Sequence, residues 1–430
     1  MVLAVNANLS IFVSTTPPMN RISFAFCCLI LLYTGNSAFC GGFQINTQSQ
    51  KATGMGGSLT AAALDASVTF FNPGGMVFLP QNSVLAGATA IIPKTGYLSA
   101  LSGKQTDMES QLFVPFHLYG SFKIGEKLGA GLSINTPYGL GTKWNKDWEG
   151  RYISQEAKLT SIYFQPTISY KVSEKLGIGA GFVYAIGNAS LQKAVPVQGA
   201  STNYGIAELK GNTGSIGFNA GVHIKFTEKV SAGISYRSKI KLNVTDGEAT
   251  FSDIPSSLTS QFPASTTFKT VINLPSVLSV AGAYRVNEDL LVHLETNLTG
   301  WSSYDSLNFS FSDEYSSLNS SGKNARQYKD AVAVRLGVQY AFTKKIDVRA
   351  SAAIDQSPVK DGYVTPDLPD ANKYAFALGF TYKFAEKLHV DVSYLFETLN
   401  ERQDVNKQTM FGGSYKTYIH AVGLGINYNF

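Results

Sequence analysis

The sequence predicts an all-β protein: a 14-stranded antiparallel transmembrane β-barrel with an N-terminal, partly helical hatch (plug) in its lumen. Two observations predict the barrel. Apolar residues alternate with small or polar ones along many segments of ten or more residues, and short turns alternate with long polar connections. A third observation predicts the hatch, because residues 41–80 lack this alternation and are too polar to face lipid.

Residues 1–40 are predicted to be a secretory signal peptide. The apolar run at residues 22–34 is about as long as a signal-peptide core and shorter than the roughly 20 residues of a spanning helix. Met19 offers a compact alternative start, and Ala38 and Cys40 are the small residues expected before a cleavage site. A lipoprotein would also use Cys40, but lipidation requires a small residue just before the cysteine, and Phe39 is bulky. All three cysteines lie in this segment, so the mature chain has no disulfide.

The hatch is predicted to comprise residues 41–80. Small and polar residues crowd this segment, and residues 61–64 favour a short helix. A fourteen-stranded barrel has a lumen wider than its own inward side chains can fill. A segment of this composition is therefore expected inside the barrel.

Residues 81–430 are predicted to form the barrel. In the stretch 374–384, six aromatic or aliphatic side chains share one face of a strand, and small or polar ones share the other. Strands of about 9 to 11 tilted residues cross a hydrocarbon layer with their apolar side chains toward lipid. The final strand ends on Phe430, which suits an interfacial aromatic girdle. A soluble sandwich also alternates, but the signal segment and the strand lengths favour the outer membrane of a Gram-negative bacterium.

Two prolines predict a weak place in the barrel wall. Pro137 lies in the middle of the third strand, and Pro115 lies in the second. Proline has no N–H for a ladder, so pairing is expected to be interrupted there. The alternative is that Pro137 marks the extracellular end of its strand. The predicted interruption comprises Pro115, Thr136, Pro137, Tyr138 and Gly139.

The stretch FFNPGG, residues 70–75, is predicted to anchor the hatch. Asn72 can bond backbone groups left unpaired by a kink, Pro73 fixes the chain direction, and Gly74 completes the turn. The hypothesis is that this turn fastens the hatch to the wall beside the predicted interruption. The alternative is an ordinary turn at a domain boundary.

Two long connections, residues 190–212 and 247–268, are rich in apolar residues for exposed segments. Exposed apolar surface of this kind predicts binding of a hydrophobic small molecule. The apolar residues predicted to bind the ligand are Leu191, Val195, Phe251, Leu258 and Phe262.

Composition and spacing argue against several other functions. The formal net charge of +5 comes without a basic block, so no nucleic-acid partner is predicted. Five histidines are scattered without metal-ligand spacing, and no nucleophile motif accompanies them. His293, Glu295 and Asn297 share one strand face. This pattern is compatible with a hydrated structural network and with an active site. We predict no cofactor, no metal and no enzyme. Besides a barrel that binds a hydrophobic small molecule, the alternatives are a water-filled diffusion porin for small polar solutes and an adhesive barrel.

The predicted hatch carries the residues of a known family. It resembles the hatch of the FadL-type outer-membrane transporters (OMPP1/FadL/TodX) in the order and spacing of Gly42-Phe43-Gln44, Gly54-x-Gly56, Asp65-Ala66-Ser67 and Asn72-Pro73. The later stretches Tyr138-Gly139-Leu140 and Asn273-Leu274-Pro275 are also similar. Gly74 stands where the family usually has alanine.

The resemblance implies outer-membrane transport of hydrophobic compounds, long-chain fatty acids or similar. It implies extracellular capture, an interior binding pocket and lateral release through a gap at a kinked third strand. It also implies a monomer in contact with outer-membrane lipid, or with detergent once purified. Lys193 and Lys323 are near the places where the family has basic residues that meet a carboxylate.

Overall fold

The computed structural model of the chain describes residues 41–198, 204–319 and 324–430, so the predicted signal peptide lies outside the described residues. No helix within these ranges is long and apolar enough to cross a membrane. The described strands are β1 (Ser83–Ser99), β2 (Gln105–Asp107), β3 (Phe116–Ile124), β4 (Leu128–Asn135), β5 (Gly139–Lys143), β6 (Glu156–Ser173), β7 (Leu176–Val195), β8 (Gly205–Lys225), β9 (Val230–Arg237), β10 (Ile240–Ser252), β11 (Ser265–Leu274), β12 (Val277–Arg285), β13 (Leu290–Thr299), β14 (Phe309–Phe311), β15 (Ala331–Thr343), β16 (Ile346–Asp355), β17 (Lys373–Lys383), β18 (Leu388–Leu399), β19 (Arg402–Val405) and β20 (Gly412–Asn429).

The prediction of a closed fourteen-stranded antiparallel barrel is confirmed. Ladders join β1, β3, β4, β6, β7, β8, β9, β12, β13, β15, β16, β17, β18 and β20 in that order. The last strand pairs with the first from Ser83↔Asn429 to Ser99↔Gly413, which closes the ring. The other strands extend this ring. Counted along the ring, β5 continues the third barrel strand (β4), β10 prolongs the seventh (β9) and β11 prolongs the eighth (β12).

Side chains alternate between the two faces of the wall as the period of two predicts. On β17, Phe376 and Leu378 are exposed, whereas Ala375 and Ala377 are buried. The face that would meet lipid is therefore apolar, and the small residues leave room inside.

The N-terminal segment, residues 41–80, fills that room. It contains the helices Gln50–Gly54 and Val68–Phe71 and the 3-10 helix Pro73–Phe78. Its side chains bond to inward faces around the ring. Gln50 accepts from Ser393 Oγ at 2.6 Å and donates to the carbonyl of Ala88 at 3.2 Å, and Gln165 of β6 donates to the carbonyl of Thr69 at 2.7 Å.

The predicted helix at residues 61–64 is wrong, because the helical turns form on either side of it. Ser49 caps the first helix by accepting from the N–H of Ala52 at 3.1 Å. Asp65 accepts from the N–H of Ser67 at 2.9 Å, which makes a turn just before the second helix. Side-chain bonds of this kind outweigh helix propensity, which is highest for alanine but differs by less than about 1 kcal/mol per residue among ordinary residues.

The boundaries of the two apolar connections are also wrong. Residues 190–212 and 247–268 were expected to be loops, but β7, β8, β10 and β11 continue through much of them. β7 pairs with β8 as far as Val195↔Gly205, so these hairpins extend well past the fourteen-strand ring as a paired sheet. The apolar residues predicted there lie largely on strands, which hold them in fixed positions.

Candidate functional site

The barrel wall is interrupted at the third strand, as Pro137 predicts. β4 pairs with both β3 and β6 up to Asn135, but β5, which resumes at Gly139, pairs with β6 alone. On the other side, Phe113 and Pro115 bond back to β1. Within residues 108–142, all of which the structure describes, no ladder joins the second and third strands above His117↔Asn135. We call this the wall opening.

Backbone groups freed at the wall opening are taken up by the N-terminal segment. The N–H of Ile45 donates to the carbonyl of Pro137 at 2.9 Å, and the N–H of Gly139 donates to the carbonyl of Phe43 at 3.0 Å. Gln48 donates to the carbonyl of Thr136 at 3.0 Å and accepts from Asn135 Nδ2 at 2.8 Å. Residues 43–48 thus replace the second strand as the partner of the kinked third strand.

Two apolar side chains fill the wall opening from inside. The ring of Phe113 occupies the space that a Cβ at Gly141 would take, and Ile45 Cδ1 lies 2.7 Å from the position of a Cβ at Gly139. Only glycine lets these side chains approach the backbone so closely. The sequence predicts that Gly139 and Gly141 let this strand bend, but it gives no sign that Phe113 and Ile45 pack against them.

A large cavity lies behind the wall opening. This inner cavity has a volume of about 660 Å³. Its lining includes inward residues of β6 such as Leu159, the outward residues Thr160 and Ile162 of the same strand, and the exposed Val114 of the second strand. Because both faces of β6 contribute, the inner cavity reaches from the lumen to the outer surface of the wall.

A second cavity, the outer groove, lies between the extended hairpins and has a volume of about 280 Å³. The structure brings the predicted ligand-binding residues together here: Leu191, Lys193, Val195, Phe251 and Phe262 line it, and Leu258 packs against the same apolar cluster. The Lys193 side chain remains exposed at this site. The other predicted lysine, Lys323, lies outside the described residues.

A small connecting space of about 40 Å³ lies between the two cavities. It shares Leu191, Leu209 and Phe309 with the outer groove, and Phe43 and Leu159 with the inner cavity. A continuous series of apolar side chains therefore leads from the extended hairpins to the wall opening.

The predicted anchor binds the wall, but not beside the wall opening. Asn72 is fully buried and donates to the carbonyls of Thr60 at 2.7 Å and Val222 at 3.0 Å. Its Oδ1 accepts from the N–H of Gly74 at 3.1 Å, and Pro73 packs against Gly179. The anchor thus contacts β7 and β8, the fifth and sixth barrel strands. The hydrogen bonds of Asn72 thus reach the sixth strand and not the wall opening, whereas Thr69 and Met76 on either side of the anchor contact the third strand lower down, at Ser133 and Gly131.

His293, Glu295 and Asn297 of β13 form a network with the N-terminal segment. Asn297 Nδ2 donates to Glu295 at 2.6 Å, and the N–H of Thr60 donates to the same carboxylate at 3.2 Å. The N–H of Ala61 points at His293 Nε2 at 3.4 Å. These bonds hold backbone in place. No cluster of metal-ligating side chains occurs within the described ranges.

A buried ion pair joins two long connections at the outer groove, and both of its residues line that cavity. Arg326 donates to Asp367 at 2.7 and 3.1 Å and to Thr365 Oγ1 at 2.6 Å. Burial alone would raise the pKa of the Asp367 carboxyl, but the guanidinium outweighs burial and lowers it. Since Arg326 and Asp367 belong to different connections, the pair ties the two together.

Asp367→Asn is expected to loosen both connections. A buried guanidinium without its carboxylate costs about 3 to 5 kcal/mol, so trypsin should cleave residues 305–330 faster in the folded barrel. Asp361→Asn is the matched control, because Asp361 lies on the same connection and pairs with Arg402, but its own side chain is 99% exposed. Equal cleavage rates in the two variants would contradict the prediction.

The pH dependence of this protection follows from the lowered pKa of Asp367, and hydrogen exchange of the backbone amides in the connections measures it, because trypsin is inactive in acid. The pair contributes fully above the unfolded pKa of about 3.9 and is lost as the pH falls through the lower folded pKa. Protection of the connections should therefore hold from neutral pH down to about pH 4. Below that pH, protection should fall in the wild type. In Asp367→Asn, protection should be absent at every pH.

Comparisons with known proteins give one family. Residues 31–430 match the family described as outer membrane protein transport protein (OMPP1/FadL/TodX). A 47 kDa outer membrane protein of Pasteurella multocida is 25% identical over 93% of this chain and 96% of its own length. The long-chain fatty acid transport protein of Escherichia coli is 25% identical over 83% of this chain and 87% of its own length.

Solved structures show the same fold. The crystal structure of a Pseudomonas aeruginosa FadL homologue matches with a TM-score of 0.80 at 20% identity, covering 91% of this chain and all of that one. The Pseudomonas putida toluene transporter TodX matches with a TM-score of 0.68 at 15% identity, covering 92% of this chain and 99% of its own. The barrel, the N-terminal segment and the family match agree, and the chain belongs to the OMPP1/FadL/TodX family of outer-membrane transport proteins.

Proposed function

We propose that the protein imports hydrophobic compounds by capture in the outer groove, transfer to the inner cavity and lateral release through the wall opening. It lies in the outer membrane of a Gram-negative bacterium and transports hydrophobic compounds, as its family does. The observation that carries the lateral route is the inner cavity, whose lining includes both faces of β6 and both edges of the wall opening.

The energetics of an apolar cargo support lateral release. Each CH2 group that leaves water gains about 0.8 kcal/mol, so delivering a long chain into the periplasm would forfeit most of its binding energy. Passage through the wall opening transfers the chain from apolar side chains directly to lipid. The residues assigned to the gate are Pro115, Thr136, Pro137, Tyr138 and Gly139, together with Phe113 and Ile45.

The N-terminal segment acts as the hatch in this proposal. It is buried across the lumen and bonded to strands around the ring, so it blocks a direct vertical path. It also holds the kinked strand through residues 43–48. Displacement of this short stretch would free the gate while the anchor at Asn72 holds the rest of the segment. One barrel, surrounded by outer-membrane lipid, contains the whole route and acts as a monomer.

Planar-bilayer conductance tests this proposal against the diffusion porin. A barrel filled by residues 41–80 should give no steady large conductance, because its lumen holds no continuous water column. A steady large conductance would favour the porin and contradict the plugged transporter. Insertion of the barrel is checked independently by the change in gel mobility on boiling.

A further inference from the structure

The inner cavity has one polar end, and its charges are unevenly distributed. The ionisable residues in its lining are Lys158, Asp370, Lys373 and Glu397. Lys158 belongs to the outward face of β6, is 53% exposed and pairs with Glu156. The inner end is therefore formed by one lysine and two carboxylates.

Lys373 is already paired within the protein. Its ammonium contacts Asp370 Oδ1 at 3.3 Å, the carbonyl of Gly42 at 3.3 Å and Glu397 Oε1 at 3.9 Å. Asp370 is also satisfied, because it accepts from the N–H of Gly42 at 3.1 Å and from Ser357 Oγ at 2.8 Å. Both groups are committed to holding the N-terminal segment against the wall.

Glu397 differs from these two. The residue is 8% exposed, and its neighbours across the ladders are Ala375 and Ile419, which offer no side-chain donor. Among the described residues, Lys373 is the one cation within ion-pair distance of its carboxylate, and that distance is beyond a hydrogen bond; the charge of Arg335 acts on the carboxylate from further away. A nearly buried acceptor thus faces a large, mostly apolar cavity without a donor.

A ligand carboxylate would fit this end badly. It would be a third negative charge beside one ammonium that is already surrounded, in a site where water screens charges weakly. A hydroxyl group would instead donate the hydrogen bond that Glu397 lacks, and a hydrogen bond to a charged acceptor is among the strong ones.

We propose that the inner cavity selects hydrophobic compounds with a non-acidic, hydrogen-bond-donating head group, such as long-chain alcohols or phenols, and that Glu397 accepts that hydrogen bond. This inference rests on the proposed function and specifies its substrate class. An acid captured at the exposed Lys193 of the outer groove would have to lose its charge or that contact before entering.

The test compares 1-dodecanol, dodecanoate and dodecane binding to the full-length purified protein at pH 8, where dodecanoate is ionised. Every arm carries Lys193→Ala, so the outer groove lacks its exposed ammonium. Dodecanol should bind at least about tenfold more tightly than dodecanoate, the size expected for one hydrogen bond to a charged group. Glu397→Leu should reduce dodecanol to the affinity of dodecane, and Glu397→Gln should strengthen dodecanoate binding while keeping an acceptor for dodecanol.

Glu401→Gln, at an exposed site four residues further on, is the matched control and should leave all three affinities unchanged. Boiling-dependent gel mobility reports that each variant still forms the barrel. Dodecanoate binding as tight as that of dodecanol, or identical affinities in the Glu397 variants, would overturn this inference and leave the proposed function standing. Failure of all three compounds to bind would overturn the proposed function together with the inference.

Discussion

Replacing Asn72 and Pro73 together by alanine is expected to abolish uptake of a hydrophobic compound while the barrel still inserts. Loss of the Asn72 side chain leaves the carbonyls of Thr60 and Val222 and the N–H of Gly74 without their partners. Each buried polar group left unpaired costs about 1 to 3 kcal/mol. The barrel itself should still form, because no ladder involves Asn72 and Val222 keeps its place between β7 and β9.

Uptake of radiolabelled dodecane by cells measures the effect, and the change in gel mobility on boiling reports insertion. Asn188→Ala is the matched control, since Asn188 is exposed on β7, one of the strands that the anchor contacts. Unchanged uptake in the double variant would show that FFNPGG is only a turn. Failure to insert would show that the anchor is needed for assembly of the barrel and would contradict the expectation as well.

The barrel was predictable because its signal is local and repeated. Each strand carries its own alternation, and exposed Phe376 and Leu378 against buried Ala375 and Ala377 follow directly from it. The interruption of the third strand was predictable for the same reason, because proline acts on the hydrogen bonds of its own residue and its neighbour.

The position of the anchor was not predictable in this way. Asn72 and Val222 are 150 positions apart, and nothing in either residue states that they meet. The sequence pattern predicts that FFNPGG forms a turn and that the side-chain amide of Asn72 can bond backbone groups. Which strand that amide reaches depends on the path of residues 48–72 across the lumen.

The polar end of the inner cavity was missed for a related reason. Glu397 faces Ala375 only because β17 and β18 pair in one register, and a shift of a single residue would turn it toward lipid. The spacing of Asp370 and Lys373 was visible, but not the fact that both are bonded to Gly42. Charge compensation by a distant part of the chain can be read only from the folded structure.

Val114→Trp is expected to reduce uptake at least about tenfold, which corresponds to a barrier higher by about 1.4 kcal/mol. Val114 is 57% exposed and lines the inner cavity at the edge of the wall opening. The second and third strands are not paired at this height, so the gap between them has room for an indole. The ring would narrow the path between the inner cavity and lipid. Capture in the outer groove, which lies elsewhere on the hairpins, should be unaffected.

Leu118→Trp provides the comparison that decides between lateral release and a vertical path. Leu118 lies on the same face of the same barrel strand and is 40% exposed, but it pairs with Ile134 where the wall is intact. An added ring there meets only lipid, so dodecane uptake should match the wild type, with barrel formation confirmed by gel mobility in both variants. A cargo leaving toward the periplasm would pass neither residue, and equal uptake by Val114→Trp and Leu118→Trp would therefore refute the wall opening as the exit.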